Sequence, residues 1–371
     1  MRILVANLGS TSFKFKLLDM EQDGHVVARG GYERIGQAGS AYRTHGDVID
    51  AILKELPAPP DAIGFKAVHG GPISGAVPVT DEVIATMEQF ADVAPAHNPP
   101  YVAAMKAFRE KMPNTPQVAA FETAFHQSIP AARTAYAIPH EWSEKFGIRR
   151  YGFHGASHRS VSWQLAGKAR RIINCHLGGS SSVCAIEDGK SIACSFGLTA
   201  QSGLPQNNRV GDFDAFALLK LTKHGLTLEE IFRRLSKEGG LLGISGVSPD
   251  LRDIEAAAAS GNQRAQLAID TLVESVRHYI GAFLVALGGC DALSFTGGIG
   301  ENAVAVRAAI CKNLDFAGII LDETKNQVRG KEAAIQSDKS RAQIWVLMTN
   351  EELVVARQTL AVLKQQKAQL N

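Results

Sequence analysis

The 371-residue chain lacks the features that would place it in a membrane, on nucleic acid or outside the cell. Its most apolar late stretch, residues 279–287, is about half the length of a bilayer span and stops at Gly288-Gly289. Residues 1–15 show no basic leader, no long apolar run and no cleavage site, so no secretory signal is expected. Five cysteines, Cys175, Cys184, Cys194, Cys290 and Cys311, are odd in number and form no Cys-x-x-Cys pair. That pattern favours a reducing compartment, with the cytoplasm as the expected location. Basic and acidic residues, 39 and 37, leave a net charge of only +2. Such a balance excludes binding driven by a nucleic-acid backbone or an anionic membrane, so any anion must be captured locally. There is no low-complexity tract, and the length favours two domains that need neither disulfide nor structural metal.

What is present is a repeated local unit. Arg2-Ile3-Leu4-Val5-Ala6 runs into Asn7-Leu8-Gly9-Ser10-Thr11-Ser12, after which Phe13, Phe15 and Leu17 alternate with Lys14 and Lys16. The pattern predicts a strand, a tight polar turn and a second strand. Arg171-Ile172-Ile173-Asn174-Cys175, His176-Leu177-Gly178-Gly179-Ser180-Ser181-Ser182 and Val183-Cys184-Ala185-Ile186 repeat that order. Two such units predict a duplicated domain with a ligand between the halves. A third element, Leu293-Ser294-Phe295-Thr296-Gly297-Gly298-Ile299-Gly300-Glu301-Asn302, reads as strand, glycine turn and helix start. Helical periodicity covers residues 81–90, 100–111, 160–170, 215–223, 264–287 and 351–369, and residues 256–260 read as a helix end closed by Gly261. Strands mixed with helices give an α/β class.

Both Gly/Ser turns offer backbone N–H groups and hydroxyls that suit phosphate oxygens, and Lys14 adds a point charge. Either turn alone is equally consistent with a plain hairpin; their duplication favours phosphate. Asn7, Glu122 and the Glu351-Glu352 pair are oxygen donors suited to magnesium, which keeps several waters and needs few carboxylates. Glu122 stands out because it interrupts an apolar segment. His69, His97, His154 and His176 sit beside small or turn-forming residues, where imidazoles can orient or stabilise phosphoryl groups. His154 and His158 stand four apart, but without the intervening Glu or nearby Cys of a zinc site. Arg209 and Lys66 would offset charge on a transferring phosphoryl group if both faced it.

Together these segments resemble the acetate kinase family, within the larger group of sugar kinases, Hsp70 and actin that share a duplicated ribonuclease-H-like fold. The most specific stretches are Asn7 to Ser12 with Lys14, Val68 to Gly71, the Ala94-Pro95-Ala96-His97-Asn98-Pro99 run, Phe121 to His126, Tyr151 to His158, Cys175 to Gly178, Phe295 to Asn302 and Thr349 to Leu353. The resemblance implies transfer of the γ-phosphoryl group of ATP to a short carboxylate, reversibly, with Mg2+. It implies a first domain of residues 1–150 plus 351–371, a second of 151–350, nucleotide in the cleft between them, and a homodimer joined through the second domain. Arg209, His154, Lys66 and Glu122 fall at positions implied to be catalytic. Ser10, Ser12, Lys14, His176, Gly178, Gly179, Gly297, Gly298, Gly300 and Asn302 fall at nucleotide or phosphate positions. Val68, Ala96, His97, Phe153 and Ala200 fall at the acid site, and Asn7 and Glu351, with Glu122, at the metal site.

The chain also departs from the family pattern. Lys66 stands for Arg and Glu122 for Asp, which exchanges a planar fork for a point charge and lengthens the carboxylate arm. The second turn is Gly-Gly-Ser-Ser-Ser rather than Gly-Asn-Gly-Ala-Ser, and Gln206-Asn207-Asn208 replaces an apolar residue and Gly-Thr before Arg209. Ala96 and Ala200 replace leucine and proline, so the acid site is expected to be wider, and Gln201 or Gln206 to make it more polar. Length missing between Met20 and Ile63 is expected to be peripheral. Two other readings stand beside this one: a nucleotide-binding relative that has lost transfer and acts as a sensor, which the Lys66 and Glu122 changes motivate, and a kinase using pyrophosphate or another nucleotide as donor.

Overall fold

The computed structural model describes residues 1–95 and 97–370, which form two compact units. The first comprises Met1–Gln127, Glu144–Gly147 and the chain from Asn350 onward; the second comprises Ser128–Ser143 and Ile148–Thr349.

The first sheet contains β1 (Arg2–Leu8), β2 (Ser12–Asp19), β3 (His25–Glu33), β4 (Ala62–Ala67), β5 (Ala76–Pro78) and β6 (Gln117–Phe121), in the order β3-β2-β1-β4-β6-β5. The second contains β7 (Arg171–His176), β8 (Ser182–Glu187), β9 (Lys190–Cys194), β10 (Ala292–Thr296), β11 (Ala333–Ala334) and β12 (Gln343–Val346), in the order β11-β12-β10-β7-β8-β9. Read from the opposite edge, the second order is the first. Parallel β1–β4–β6 corresponds to parallel β7–β10–β12, and the antiparallel meander β1–β2–β3 to β7–β8–β9. Both meanders carry a register shift, at Leu17/Leu18 and at Ala185/Ile186. The duplication read from two short turns therefore extends to every strand pairing, and the mixed strands and helices form the α/β class expected.

Alternation along each strand sorts the side chains into two layers. In the first unit Ile3, Val5, Ala62, Val118 and Ala120 pack against Val355, Ala356 and Leu363 of the helix Glu351–Leu370. Leu4, Ala6, Ile63, Phe65 and Ala119 face the helices His45–Glu55, Asp81–Gln89 and Asn98–Lys111 on the other side. The second core centres on the 25-residue helix Gln263–Leu287, whose Leu272, Val276 and Ile280 meet Ile173, Val183 and Leu293.

Most helical periodicities lie where the sequence puts them, and the alanine-rich helix Leu251–Ala259 is followed by Gly261 at φ 90°. The expected helix 160–170 is displaced: it runs Gly155–Gln164, because His154 starts it from a left-handed backbone conformation and Gly167, at φ 74°, lies in the turn into β7. The segment between Met20 and Ile63 is only partly peripheral. β3 is an exposed edge strand, but Val48, Ile49 and Ile52 of the next helix are fully buried in the first core.

Gly64, in the middle of β4, is what lets the C-terminal helix close on the sheet. A methyl group there would sit 2.5 Å from Thr359 Oγ1 and 3.1 Å from Val355 Cγ1. Gly64→Ala is expected to cost about 1–3 kcal/mol through this overpacking, read as a lower denaturation midpoint at unchanged slope in urea.

Candidate active site

Strand parity gathers three polar residues of the first unit. Ile3 and Val5, Ala62 and Gly64, and Val118 and Ala120 all face the C-terminal helix, so Asn7, Lys66 and Glu122 continue those rows at the carboxyl ends of three parallel strands. There the helix begins with Glu351, an acid favoured at a helix N-terminus. Lys66 Nζ lies 3.4 Å from Glu122 Oε1 and also pairs with Glu351 Oε2; the side chains of Lys66, Glu122 and Glu351 are 17%, 6% and 17% exposed. Burial works against the lysine charge, but the carboxylates of Glu122 and Glu351 outweigh it and hold the ammonium well above the ordinary lysine range. One ammonium between two carboxylates leaves the triad a net negative charge. With the Asn7 amide, this all-oxygen donor set fits a hard cation that keeps part of its water shell.

Next to the triad, the β1–β2 hairpin presents the first Gly/Ser turn. Gly9 N–H donates to Ser12 O at 2.9 Å, Leu8 N–H donates to the buried Tyr101 hydroxyl at 2.9 Å, and Asn7 pairs in register with Lys14. Ser10 and Lys14 are exposed. His69 serves the backbone, its Nδ1 accepting from Gly71 N–H at 2.9 Å while its ring stacks on Phe90. His97 precedes the helix Asn98–Lys111, and Val68 packs at the edge of the first core. Ala96 lies outside the described residues.

The second unit collects the other expected histidines. His154, at φ 56°, and His176 have ring centroids 4.1 Å apart. His176 Nδ1 lies 2.7 Å from Ser157 Oγ. His154 and His158, one helical turn apart, do not chelate through that spacing but share one hydroxyl: Ser182 Oγ lies 2.8 Å from His154 Nδ1 and 2.9 Å from His158 Nε2. Phe153 is buried edge-on to Phe196.

Arg209 occupies a loop closed by Gln206. The Gln206 amide donates to Ala200 O at 2.7 Å, while its Oε1 accepts from the Ser180 hydroxyl at 2.7 Å and from Arg209 Nη1 at 3.3 Å. Gln206 is 1% exposed and both ends of its amide are committed. It therefore does not supply the polarity expected of it at the acid site; it holds the arginine. Gln201 differs, since its buried Oε1 has no donor among the described residues. Arg209 has no acidic partner among the described residues, and desolvation pulls its pKa below the ordinary arginine value. Of the two expected cations, Lys66 is neutralised locally and Arg209 is not.

The second Gly/Ser turn and the Gly297–Asn302 helix meet around Leu177, whose carbonyl accepts from Ile299 N–H and Gly300 N–H at 2.9 and 3.1 Å. Gly297, at φ 77°, must be glycine: a Cβ would lie 2.6 Å from Leu177 O and 3.3 Å from His176 Nε2. Beneath it the fully buried Arg307 guanidinium donates to the carbonyls of Gly300, Asn326 and Val328 and to Asn326 Oδ1. The two glycine turns line a cavity of about 570 Å³ that also touches Asn207, Asp250, Asn302 and Arg329. A larger hollow, about 670 Å³, is edged by Asp212, Asp270 and Glu274 and has no paired glycine turns, so its chemistry disfavours phosphate.

Sequence reasoning thus names Asn7, Lys66, Glu122, Glu351, His154, His176 and Arg209, but neither their wiring nor the residues that support them. Gln206 is seen there as a departure rather than as the support of Arg209. Asn174, Ser182 and Ser294, which bond to the histidines or to one another, read only as strand and turn residues, and no local signal distinguishes them.

The model of the acetokinase family matches residues 46–357. An acetate kinase from Carboxydothermus hydrogenoformans is 43% identical, with 97% of this chain and 98% of the relative covered. A propionate kinase from Citrobacter rodentium is 42% identical, with 97% and 96% covered. The crystal structure of Porphyromonas gingivalis acetate kinase superposes with a TM-score of 0.90 at 38% identity, covering 98% of this chain and 99% of that one.

Removing the Lys66 ammonium leaves Glu122 and Glu351 as adjacent like charges. Lys66→Met is expected to destabilise the fold by about 3 kcal/mol near neutral pH. The native lysine, its pKa raised, contributes stability fully below the ordinary lysine range and loses it only as pH rises through the raised value. The deficit of the variant should shrink as pH falls through the carboxylate range, where protonation relieves the repulsion; chemical denaturation of both proteins across pH measures this.

Proposed function

The chain belongs to the acetokinase family and is a phosphotransferase with a carboxyl acceptor; from that premise we propose that it moves the γ-phosphoryl group of ATP, reversibly, onto a short-chain carboxylic acid larger or more polar than acetate. The observation that carries the phosphoryl-transfer assignment is Arg209, a partly buried guanidinium with no acidic partner among the described residues, oriented by Gln206. A carboxylate oxygen is already a nucleophile, so the reaction needs no strong base; alignment and charge stabilisation carry the rate.

In this reading Arg209 and His154 donate to oxygens of the transferring phosphoryl group, with His176 beside them. The Ser10 to Lys14 turn and the Gly178 to Ser182 turn take phosphates. The cavity beside Gly297, Gly298, Gly300 and Asn302 takes the nucleoside, which favours ATP over pyrophosphate as donor. Asn7, Glu122 and Glu351 are the oxygens that would hold Mg2+, which when bound supplies positive charge to offset that of the phosphates. Lys66 acts from behind, keeping the two carboxylates at bonding distance from a cation. Val68, Ala96, His97, Phe153 and Ala200 contact the acid. The wider, more polar acceptor is supported by the small Ala200 and by Gln201 Oε1, an acceptor without a donor on the same loop.

Two coarser expectations complete the proposal. No described helix is long and apolar enough to cross a membrane, and the odd set of cysteines suits the reducing cytoplasm. A homodimer through the second unit is supported by Phe216, Leu219 and Phe232, each more than half exposed there.

Acyl phosphate trapped as hydroxamate, with Mg-ATP and acetate, propionate, butyrate, glycolate, lactate or glycerate, is expected to give a higher kcat/KM for one of the larger or hydroxylated acids than for acetate. Preference for acetate overturns the acceptor assignment, turnover only with pyrophosphate overturns the donor, and binding of Mg-ATP without turnover of any acid favours a sensor. Arg209→Ala is expected to lower kcat by about 10³-fold or more, with nucleotide affinity from calorimetry nearly unchanged.

A further inference from the structure

A line of buried polar side chains in the second unit ends on His154. Ser294 Oγ donates to Asn174 Oδ1 at 2.8 Å, and Asn174 Nδ2 lies 2.8 Å from His158 Nδ1. His158 Nε2 lies 2.9 Å from Ser182 Oγ, which lies 2.8 Å from His154 Nδ1. The fold places the line: Asn174 and Ser294 are in register on parallel β7 and β10, Ser182 opens β8, and His158 stands one turn into the helix that His154 begins. Ser294, Asn174, His158 and Ser182 have no solvent exposure, so each donor must find its acceptor inside the protein.

That requirement gives the line a direction. An amide nitrogen only donates, so His158 Nδ1 accepts and carries no proton, and its ring holds its single proton on Nε2. This N–H donates to Ser182 Oγ. The serine oxygen could accept twice, but its one hydrogen has no other acceptor among the described residues, so it goes to His154 Nδ1, which is then the unprotonated nitrogen. We infer that Asn174, through His158 and Ser182, holds His154 as the neutral tautomer protonated on Nε2, so that Nε2–H is the donor offered to the transferring phosphoryl group. Protonating Nδ1 as well would leave the Ser182 hydroxyl hydrogen without an acceptor among the described residues, at a cost no solvent offsets. Asn174, His158 and Ser182 are positioning residues, since only His154 is assigned to the phosphoryl group. A neutral donor contributes a hydrogen bond without the full charge that would retain the product anion. The tautomer is a property of the fold; only the group it serves rests on the carboxylate-kinase reading.

The test uses the full chain labelled with 15N-histidine, with His154 assigned by difference from His154→Gln. Long-range 1H–15N spectra are expected to show Nδ1 of His154 unprotonated and Nε2 protonated. A proton on Nδ1, or on both nitrogens, overturns the inference. Asn174→Asp replaces the donor with an acceptor and must reverse the line: His154 should move its proton to Nδ1, and kcat should fall at least about tenfold with KM for ATP little changed. An unmoved tautomer in that variant also overturns it. Should Asn174→Asp fail to fold, Ser182→Ala removes the last donor and is expected to leave His154 as a mixture of tautomers; a single unaltered tautomer overturns the inference. If no acid is phosphorylated at all, the kinase reading fails while the spectra still decide the tautomer.

Discussion

Parallel pairing is the constraint on which the candidate site depends. A parallel strand leaves its sheet at the same edge as its neighbours, so side chains far apart in sequence converge there, and such edges are where α/β sheets bind ligands. In the first unit β1, β4 and β6 bring Asn7, Lys66 and Glu122 to one edge. In the second, β7 and β10 deliver His176 and the Gly297 turn to another. Each edge handles charge differently. The first holds a surplus carboxylate in a compensated triad, and the second presents a guanidinium with no compensating anion. One suits a metal cation, the other a phosphate.

The pairing of Lys66 with Glu122 and Glu351 has a physical rationale in this arrangement. A lysine ends in a compact charge that can touch two carboxylates at once, and the extra methylene of Glu122 carries one of them to it. Likewise Ser180 and Gln206, each unexpected alone, are hydrogen-bonded to each other and jointly seat Arg209.

What the sequence makes legible is what local chemistry determines. Both hairpins, the glycine turn and the long helices follow from turn residues and periodicity that act within about ten residues. β11, two residues long, and β5, three, carry too little pattern to be read, and they exist because β12 and β6 provide an edge to pair with. At the site, residue types were legible and partnerships were not. Glu122 could be marked because a buried acid in an apolar segment needs compensation, yet nothing near it in the chain names Lys66 or Glu351. Direction along the histidine line was also hidden, since it is set by one amide in a strand that otherwise reads as core.

The C-terminal helix completes the first sheet, although it follows the last strand of the second. During synthesis this has an order-of-events consequence. β1, β4 and β6 leave the ribosome early with one face finished, while Val355, Ala356 and Leu363 emerge only after the whole second unit has been made. Until then the apolar face of Ile3, Val5 and Val118 has no cover, and Lys66 and Glu122 await Glu351. Units are commonly completed in the order in which they emerge; here the unit that holds β1 is completed only after Ser128–Thr349 has been made. A nascent chain stalled just before residue 351 would carry the whole second unit and an uncovered face of the first sheet, an apolar surface open to chaperones and proteases.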